Sequence, residues 1–510
     1  MAEKQAIPAE RTDNADATAR PPGRVRPLRN ASYQAIAGLV GKAISFLLVF
    51  YATRALGPAL FGNYTTVLAF VGLFGLCTDL GMGTLAVRDV AQNPALATRY
   101  VSNLLVVRVL SSVGAILLIV LAAQAFVAPS LRSAVYVYAL TLAPLAVWNT
   151  LQLVFQFSER LAYSAVLSVG VSAATTTLSV VALALGHHVL ALVLVYTGVN
   201  TVGTVVMAWL VYTRFLPPRL ELDLAWWPEL LRKAAPFVVL TLLNVVYSRA
   251  DMQILYVLSG CGHMAGNGGC TPVGDYGAAY RFLDVLAAIF LGATSTATLP
   301  AFNRVVMESR LALARLVHSS VTLMLAFGVC VALLGTFFAP DALHVLAGRK
   351  YMVAAPALAI LVWAFPWFLV LGMFYNALWA LHKQTIVTLA FAITLVFNVA
   401  FNIVLIPHFS YLASAALTVA SEVLNGLIVF VALRRNLGPL GLAVPTAKVA
   451  LLASVTGAVL WVVHPYGIVV GLPVGIIMLL LGLRLTRLFG TTEREILAAM
   501  PLVGRYAGLL

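Results

Sequence analysis

The sequence predicts an all-α polytopic membrane protein of about fourteen transmembrane helices, built as two pseudo-symmetric six-helix lobes plus two C-terminal helices. Three observations lead there. Hydrophobic residues make up 62% of the 510 residues and charged residues 10%, against roughly 45–50% and about 25% in soluble domains. The apolar residues fall in runs that reach the roughly 20 residues a helix needs to cross the hydrocarbon. A short pattern also recurs in the second half with the same topology. No soluble core hides this much apolar surface, which excludes a soluble enzyme, a nucleic-acid module and a disordered scaffold.

Residues 1–30 form a basic tail. It holds Lys4, Arg11, Arg20, Arg24, Arg26 and Arg29, with Pro21, Pro22 and Pro27, and no apolar signal-peptide core. It reads as disordered and cytoplasmic, resting against anionic headgroups. The apolar runs are 33–56, 62–86, 102–127, 133–156, 163–186, 189–213, 233–258, 276–301, 313–338, 354–381, 385–406, 411–433, 446–463 and 466–485. They divide into an N-lobe (31–215, helices 1–6), a C-lobe (230–435, helices 7–12), helices 13 and 14 (446–486) and a cytoplasmic C-terminus (487–510).

The net charge of +14 reads as topology. With the N-terminus inside, 24 Lys and Arg lie on the cytoplasmic side and 4 outside. That asymmetry supports an even number of crossings, with both termini cytoplasmic in a plasma or inner membrane. Trp226, Trp227 and Tyr351, at span ends, read as an aromatic belt. Cys77 and Cys330 read as core residues. Cys261 and Cys270 lie in the one long outer loop, 259–275. A disulfide suits that oxidising side. A metal site with His263 is the alternative, but two Cys and one His do not complete one.

The repeat pairs Gly62-Asn63-Tyr64, then Phe70, with Gly274-Asp275-Tyr276, then Phe282. Both tyrosines open a span on the outer side. Two parallel lobes related by an axis along the membrane normal are a transporter plan, with the substrate route between them.

Ionisable residues within spans are costly and face protein or water. Counting depth at about 1.5 Å per residue gives two groups. Arg249 and Asp251 on span 7 lie level with Arg281 and Asp284 on span 8, the latter two sharing a face at i,i+3. Nearer the cytoplasm lie Lys42, Asp79, Arg88 and Arg108. The acids, with Arg88, read equally as ion pairs locking helices or as gating pairs of a cavity. The cations read as cavity lining, which suits an anionic, phosphate-bearing substrate. Glu422, with Asn244, Asn398, Asn402 and Asn425, places an acid and amides deep in the second lobe. They read as inter-helix hydrogen bonds or as an H⁺ or Na⁺ coupling site. No cofactor is expected.

The stretches R-A-L-G-P-A-L-F-G-N-Y (54–64) and T-D-L-G-M-G-T-L-A-V-R-D-V-A (78–91) resemble the opening of the polysaccharide transporter (Wzx-type flippase) family. That family lies within the multidrug/oligosaccharidyl-lipid/polysaccharide exporter superfamily. S-R-A-D-M-Q-I-L (248–255), V-G-D-Y-G-A-A-Y-R-F (273–282) and T-L-P-A-F-N-R (298–304) extend the resemblance to the second lobe. It implies a flippase moving polyprenyl-diphosphate-linked oligosaccharide from the inner to the outer leaflet by alternating access, for cell-envelope polysaccharide. It also implies lipid and polysaccharide-assembly proteins as partners, and charge at Arg88, Asp251 and Arg281. Lipid II flippases of the same superfamily have an ion site on spans 7, 11 and 12. Asn244, Asn398 and Asn402 correspond, with amides where a carboxylate is usual. The alternatives are a cation antiporter of the same superfamily and, in another class, a polytopic glycosyltransferase or polymerase. The latter needs a large loop with catalytic carboxylates, and loop 259–275 offers only Asp275.

Overall fold

The structure is a computed structural model and describes residues 25–78, 81–158, 160–215, 221–261, 269–486 and 488. Asp79, His263, residues 1–24 and nearly all of the C-terminus after Thr486 lie outside the described residues, as does the side chain of Cys77. The chain forms α1 (Val25–Phe74), α2 (Met82–Gln92), α3 (Ala97–Phe126), α4 (Pro129–Ala139), α5 (Leu142–Phe157), α6 (Leu161–Ala184) and α7 (Val189–Arg214). There follow α8 (Trp227–Leu258), α9 (Thr271–Glu308), α10 (Arg310–Phe337), α11 (Ala339–Leu346), α12 (Ala355–Leu361) and α13 (Ala364–Ala380). The last are α14 (Gln384–Phe409), α15 (Tyr411–Leu437), α16 (Ala443–Val463) and α17 (Ile468–Leu485). No strand occurs among the described residues.

Eleven stretches of the described residues are long and apolar enough to cross a membrane. The first, Ile36–Phe74, holds two crossings, because Gly57 turns the chain at φ 70° and Pro58 opens the second arm. Only glycine adopts that φ freely, and proline suits a helix start. The charge-bearing α8 and α9, 32 and 38 residues long, are the remaining two. Together these make the fourteen predicted crossings.

The two arms of α1 run in opposite directions. The first climbs beside α6, with Gly41 against Ser172 and the Ile44 carbonyl accepting from Thr176. The second descends along α8, from Gln253 on the Thr66 carbonyl to a cluster joining Met82 and Leu85 with Leu230 and Ala234. We call the end where α1 starts proximal and the other distal.

Three spans depart from simple rods. The second is broken: α1 ends at Phe74, a 3-10 turn covers Gly75–Thr78, and α2 resumes after Gly81 at φ 63°. The fourth is divided into α4 and α5. The tenth is assembled from a 3-10 turn (Arg349–Ala354), α12 and α13. The first helix also includes Val25–Asn30, which composition assigned to the tail.

In the N-lobe, α1 packs on α6, α3 on α5, and α6 on α7. In the C-lobe, α14 packs on α15 and α8, and α13 on α9 and α10. Helices α16 and α17 pack together and against α10. Their glycines allow close approach: Gly471 faces Phe338, and Gly482 faces Leu452. The connection between lobes is clamped at the proximal end. Asn103 donates to the Glu221 carbonyl (2.9 Å) and accepts from the Asp223 backbone (3.0 Å) and the Trp227 indole (2.8 Å). Arg99 pairs with Asp223 and lies over the Trp226 ring. These tryptophans therefore brace the lobe connection. Tyr351 corrects the belt reading outright: it is fully buried, edge-on to Phe61.

At the distal end the two repeat copies meet. A Cβ on Gly62 would collide with the Cys270 carbonyl and crowd the Gly274 nitrogen. One on Gly274 would strike the Pro58 carbonyl and crowd the Gly62 nitrogen. Gly269 lies as tightly on the Ala59 backbone, while Gly277 packs more loosely on the Thr65 side chain. The lobes thus touch backbone to backbone. Cys261 and Cys270 form a disulfide with Cα atoms 5.4 Å apart, and the Cys270 N–H donates to Asn63 (3.2 Å).

Candidate functional site: charges and aromatics between the lobes

Below this seam lies the central charge cluster. Arg281 and Asp284, one turn apart on α9, form an ion pair of 3.5 Å, with side chains 26% and 42% exposed. Charges within a span are tolerated where protein partners or water meet them. The carboxylate of Asp284 lies within electrostatic reach of Arg281, Arg249 of α8 and Lys42 of α1. Cations of three helices, from both lobes, thus act on one acid, with Arg281 at ion-pair distance. Depth counting groups Lys42 with the proximal residues; its charge also reaches Asp284 of the central group.

Asp251, level with this cluster, is 5% exposed. It accepts from the Tyr276 hydroxyl and from the Met252 backbone at 2.8 Å. Tyr276 in turn contacts Thr418 at 3.1 Å. Asp251 therefore ties α8, α9 and α15 together.

Beside the cluster, within the C-lobe, is a cavity of about 320 Å³ between α8, α9, α13, α14 and α15. Asn244, Tyr247, Ser248, Asp251, Tyr280, Tyr375, Asn376, Trp379, Phe391, Asn398 and Glu422 line it. Glu422 is 4% exposed and accepts from the Tyr247 hydroxyl at 2.6 Å. Asn398 and Asn402 are largely used between helices. Asn402 donates to the Asn398 side chain (3.0 Å), Asn398 to Ser421 (3.0 Å), and Ser414 to Asn402 (3.2 Å). Asn425 is fully buried and lies beside Tyr375, with which it shares a side-chain hydrogen bond.

Arg88 and Arg108 lie apart from the central group. With Asn149, Leu153, Gln156, Gly83 and Val87 they line a proximal hollow of about 620 Å³ in the N-lobe. Arg108 is fully buried and donates to Thr150 at 3.1 Å. Arg88 is exposed and pairs with Asp89 at 2.9 Å. Partial burial pushes the Asp89 carboxyl up, but hydrogen bonds from Tyr100 and Arg88 outweigh it and hold it below the usual carboxylate range. No group of three His, Cys, Asp or Glu suited to a metal occurs among the described residues.

Sequence reasoning found the charges but not the aromatic lining. Tyr247, Tyr280, Tyr375 and Trp379 carry polar tips within apolar runs, where each needs a partner. Tyr280, four residues after Tyr276 and next to Arg281, was the available signal.

In sequence, the chain matches the family described as polysaccharide biosynthesis protein over residues 28–306, more than half its length. No curated protein matches it. In structure it is similar to the lipid II flippase MurJ in an inward closed conformation: TM-score 0.72, 10% identity, covering 88% of this chain and 98% of that one. It is also similar to an inward-facing multidrug resistance MATE family transporter of the MOP superfamily: TM-score 0.56, 14% identity, covering 80% and 99%. A third is a MOP superfamily transporter from Pyrococcus furiosus with a binding pocket of reverse polarity: TM-score 0.55, 14% identity, covering 81% and 97%. These likenesses show the fold. With the family match, they establish that this chain is a multi-pass membrane protein of the polysaccharide biosynthesis protein family, folded as a MOP superfamily transporter.

Proposed function

We propose that the protein is a flippase carrying a polyprenyl-diphosphate-linked oligosaccharide from the cytoplasmic to the outer leaflet by alternating access, for a cell-envelope polysaccharide. The observation that supports it best is the Arg281–Asp284 ion pair on α9, with Arg249 of α8 and Lys42 of α1 in electrostatic reach of the same carboxylate. A diphosphate crossing hydrocarbon needs its charge neutralised, and guanidinium pairs bidentately with phosphate oxygens. The polyprenyl tail stays in lipid while the glycan occupies the wet space between lobes. The positive-inside asymmetry makes the proximal end cytoplasmic, so the glycine seam closes the outer side. Arg88 and Arg108 then lie where the diphosphate arrives. Glu422 is the residue we assign to carry a coupling proton. In this reading the protein is a transporter and performs no sugar transfer.

A cation antiporter is the second reading, because two carboxylates and no Lys or Arg line the C-lobe cavity among the described residues. Proteoliposomes loaded with a polyprenyl-diphosphate oligosaccharide separate the two. Flipping is read as exposure of the glycan to an external glycosidase. The expected result is protein-dependent loss of the protected pool, slowed at least tenfold by Arg249→Ala. No flipping, with pH-driven efflux of a cationic dye, would establish the antiporter instead.

A further inference from the structure

The C-lobe cavity has a chemistry of its own. Its aromatic rings form a continuous ribbon. Trp379 stands 6.5 Å from Tyr375, Tyr375 is 5.6 Å from Phe391, and Phe391 is 6.0 Å from Tyr247, centroid to centroid. Tyr247 ends the ribbon on Glu422. Trp379, at the proximal end of α13, is 40% exposed. Amides and hydroxyls of Asn244, Ser248 and Asn376 flank the ribbon. At about 320 Å³ the cavity lies at the small end of ligand-sized sites.

We propose that this cavity is a glycan subsite: it holds the sugar next to the diphosphate while Arg249 and Arg281 hold the diphosphate itself. The proposal rests on the flippase reading and adds where the saccharide is recognised. A pyranose has an apolar C–H face and a hydroxyl rim. Aromatic faces carry partial negative charge and attract the polarised C–H groups. Amides, hydroxyls and a carboxylate at the edge pair with sugar hydroxyls. Glu422 keeps acceptor capacity beyond its bond from Tyr247, since a carboxyl group accepts at more than one position.

The two subsites are linked through Tyr280, which lines the cavity. Tyr280 lies within electrostatic reach of Asp284, Asp251, Glu422 and Arg249. Among the described residues no Lys or Arg lines the cavity, so nothing there competes with the central cluster for phosphate. A bulky neutral head with an anionic neck fits this division.

The test is equilibrium binding to the full-length protein in lipid nanodiscs. The probes are bare polyprenyl diphosphate and its N-acetylhexosaminyl and hexosyl derivatives. Wild type should bind at least one glycosylated probe about tenfold more tightly than the bare one. Tyr247→Ala should remove that advantage while leaving the bare probe within twofold. Tyr247→Phe, which keeps the ring, should restore most of it. Arg249→Ala should weaken both kinds of probe. Equal affinity of wild type for bare and glycosylated lipids would overturn the subsite and leave the flippase standing. So would equal effects of Tyr247→Ala on both. Binding of neither, with ethidium bound and then lost in Glu422→Gln, would overturn the flippase reading and the subsite with it.

Discussion

Two acids of the C-lobe show how a residue's partners decide its part. Asp251 is held by the Tyr276 hydroxyl and a backbone N–H, and Tyr276 is itself bound to Thr418. Glu422 has the Tyr247 hydroxyl and otherwise faces a cavity. Removing the first acid strands buried donors, at about 1–3 kcal/mol each. Asp251→Ala should therefore lower the thermal unfolding temperature in detergent by several degrees, whereas Glu422→Gln should change it little. The order should reverse in transport: Glu422→Gln should abolish stimulation of flipping by a pH gradient. Equal effects of the two variants on stability would overturn the distinction. The Arg281–Asp284 pair was legible in the sequence, because i,i+3 spacing fixes a shared face. The reach of Lys42 to Asp284 was not. Depth counting assumes upright spans, while α8 and α9, at 32 and 38 residues, are longer than about 20 residues of hydrocarbon. The aromatic ribbon was not legible either, because its rings come from α8, α13 and α14, and the mutual rotation of separate helices is absent from any one helix's pattern.

At the level of elements, the repeat explains the distal seam. Residues on matching positions of two parallel lobes approach one another where they lie near the symmetry axis. Gly62 and Gly274 are such a pair, and each leaves no room for a Cβ on the other side. The repeat was readable from the sequence; that its copies touch needed the packing. Valine at either position should prevent distal closure. We expect Gly62→Val or Gly274→Val to cut flipping at least tenfold while helix content stays unchanged. Hydrogen exchange should rise around residues 57–66 and 269–278, and wild-type protection there would refute the seam as a closure. The Cys261–Cys270 bridge anchors the same region, because Cys270 also bonds Asn63. Closing so short a loop is worth about 2–3 kcal/mol. The double serine variant should lower the unfolding temperature measurably, and reductant should lower wild type alike. The breaks at Gly57 and Gly81 belong to this scale too. The glycines were visible, but composition alone read 62–86 as one continuous helix.

At the scale of the whole molecule, the direction of transport follows from orientation. Read from the sequence with the N-terminus inside, Lys and Arg fall 24 to 4 in favour of the cytoplasmic side, and such asymmetry sets topology. Both termini should then face the cytoplasm, with loop 259–275 outside. Labels placed at the two ends should be reached only after the membrane is permeabilised, and one inserted within 262–268 should be reached on intact cells. With that orientation, the glycine seam closes the outer side, the cations Arg88 and Arg108 stand at the side where a cytoplasmically made lipid diphosphate arrives, and the central cations stand between. The charges then form a route with a start and a barrier. If the labels report the opposite orientation, the closed seam faces the cytoplasm and Arg88 and Arg108 face outward. The same cations would then receive substrate from outside, and outward flipping of a glycolipid would lose its physical support. The topology measurement therefore tests the direction of the proposed function independently of any substrate.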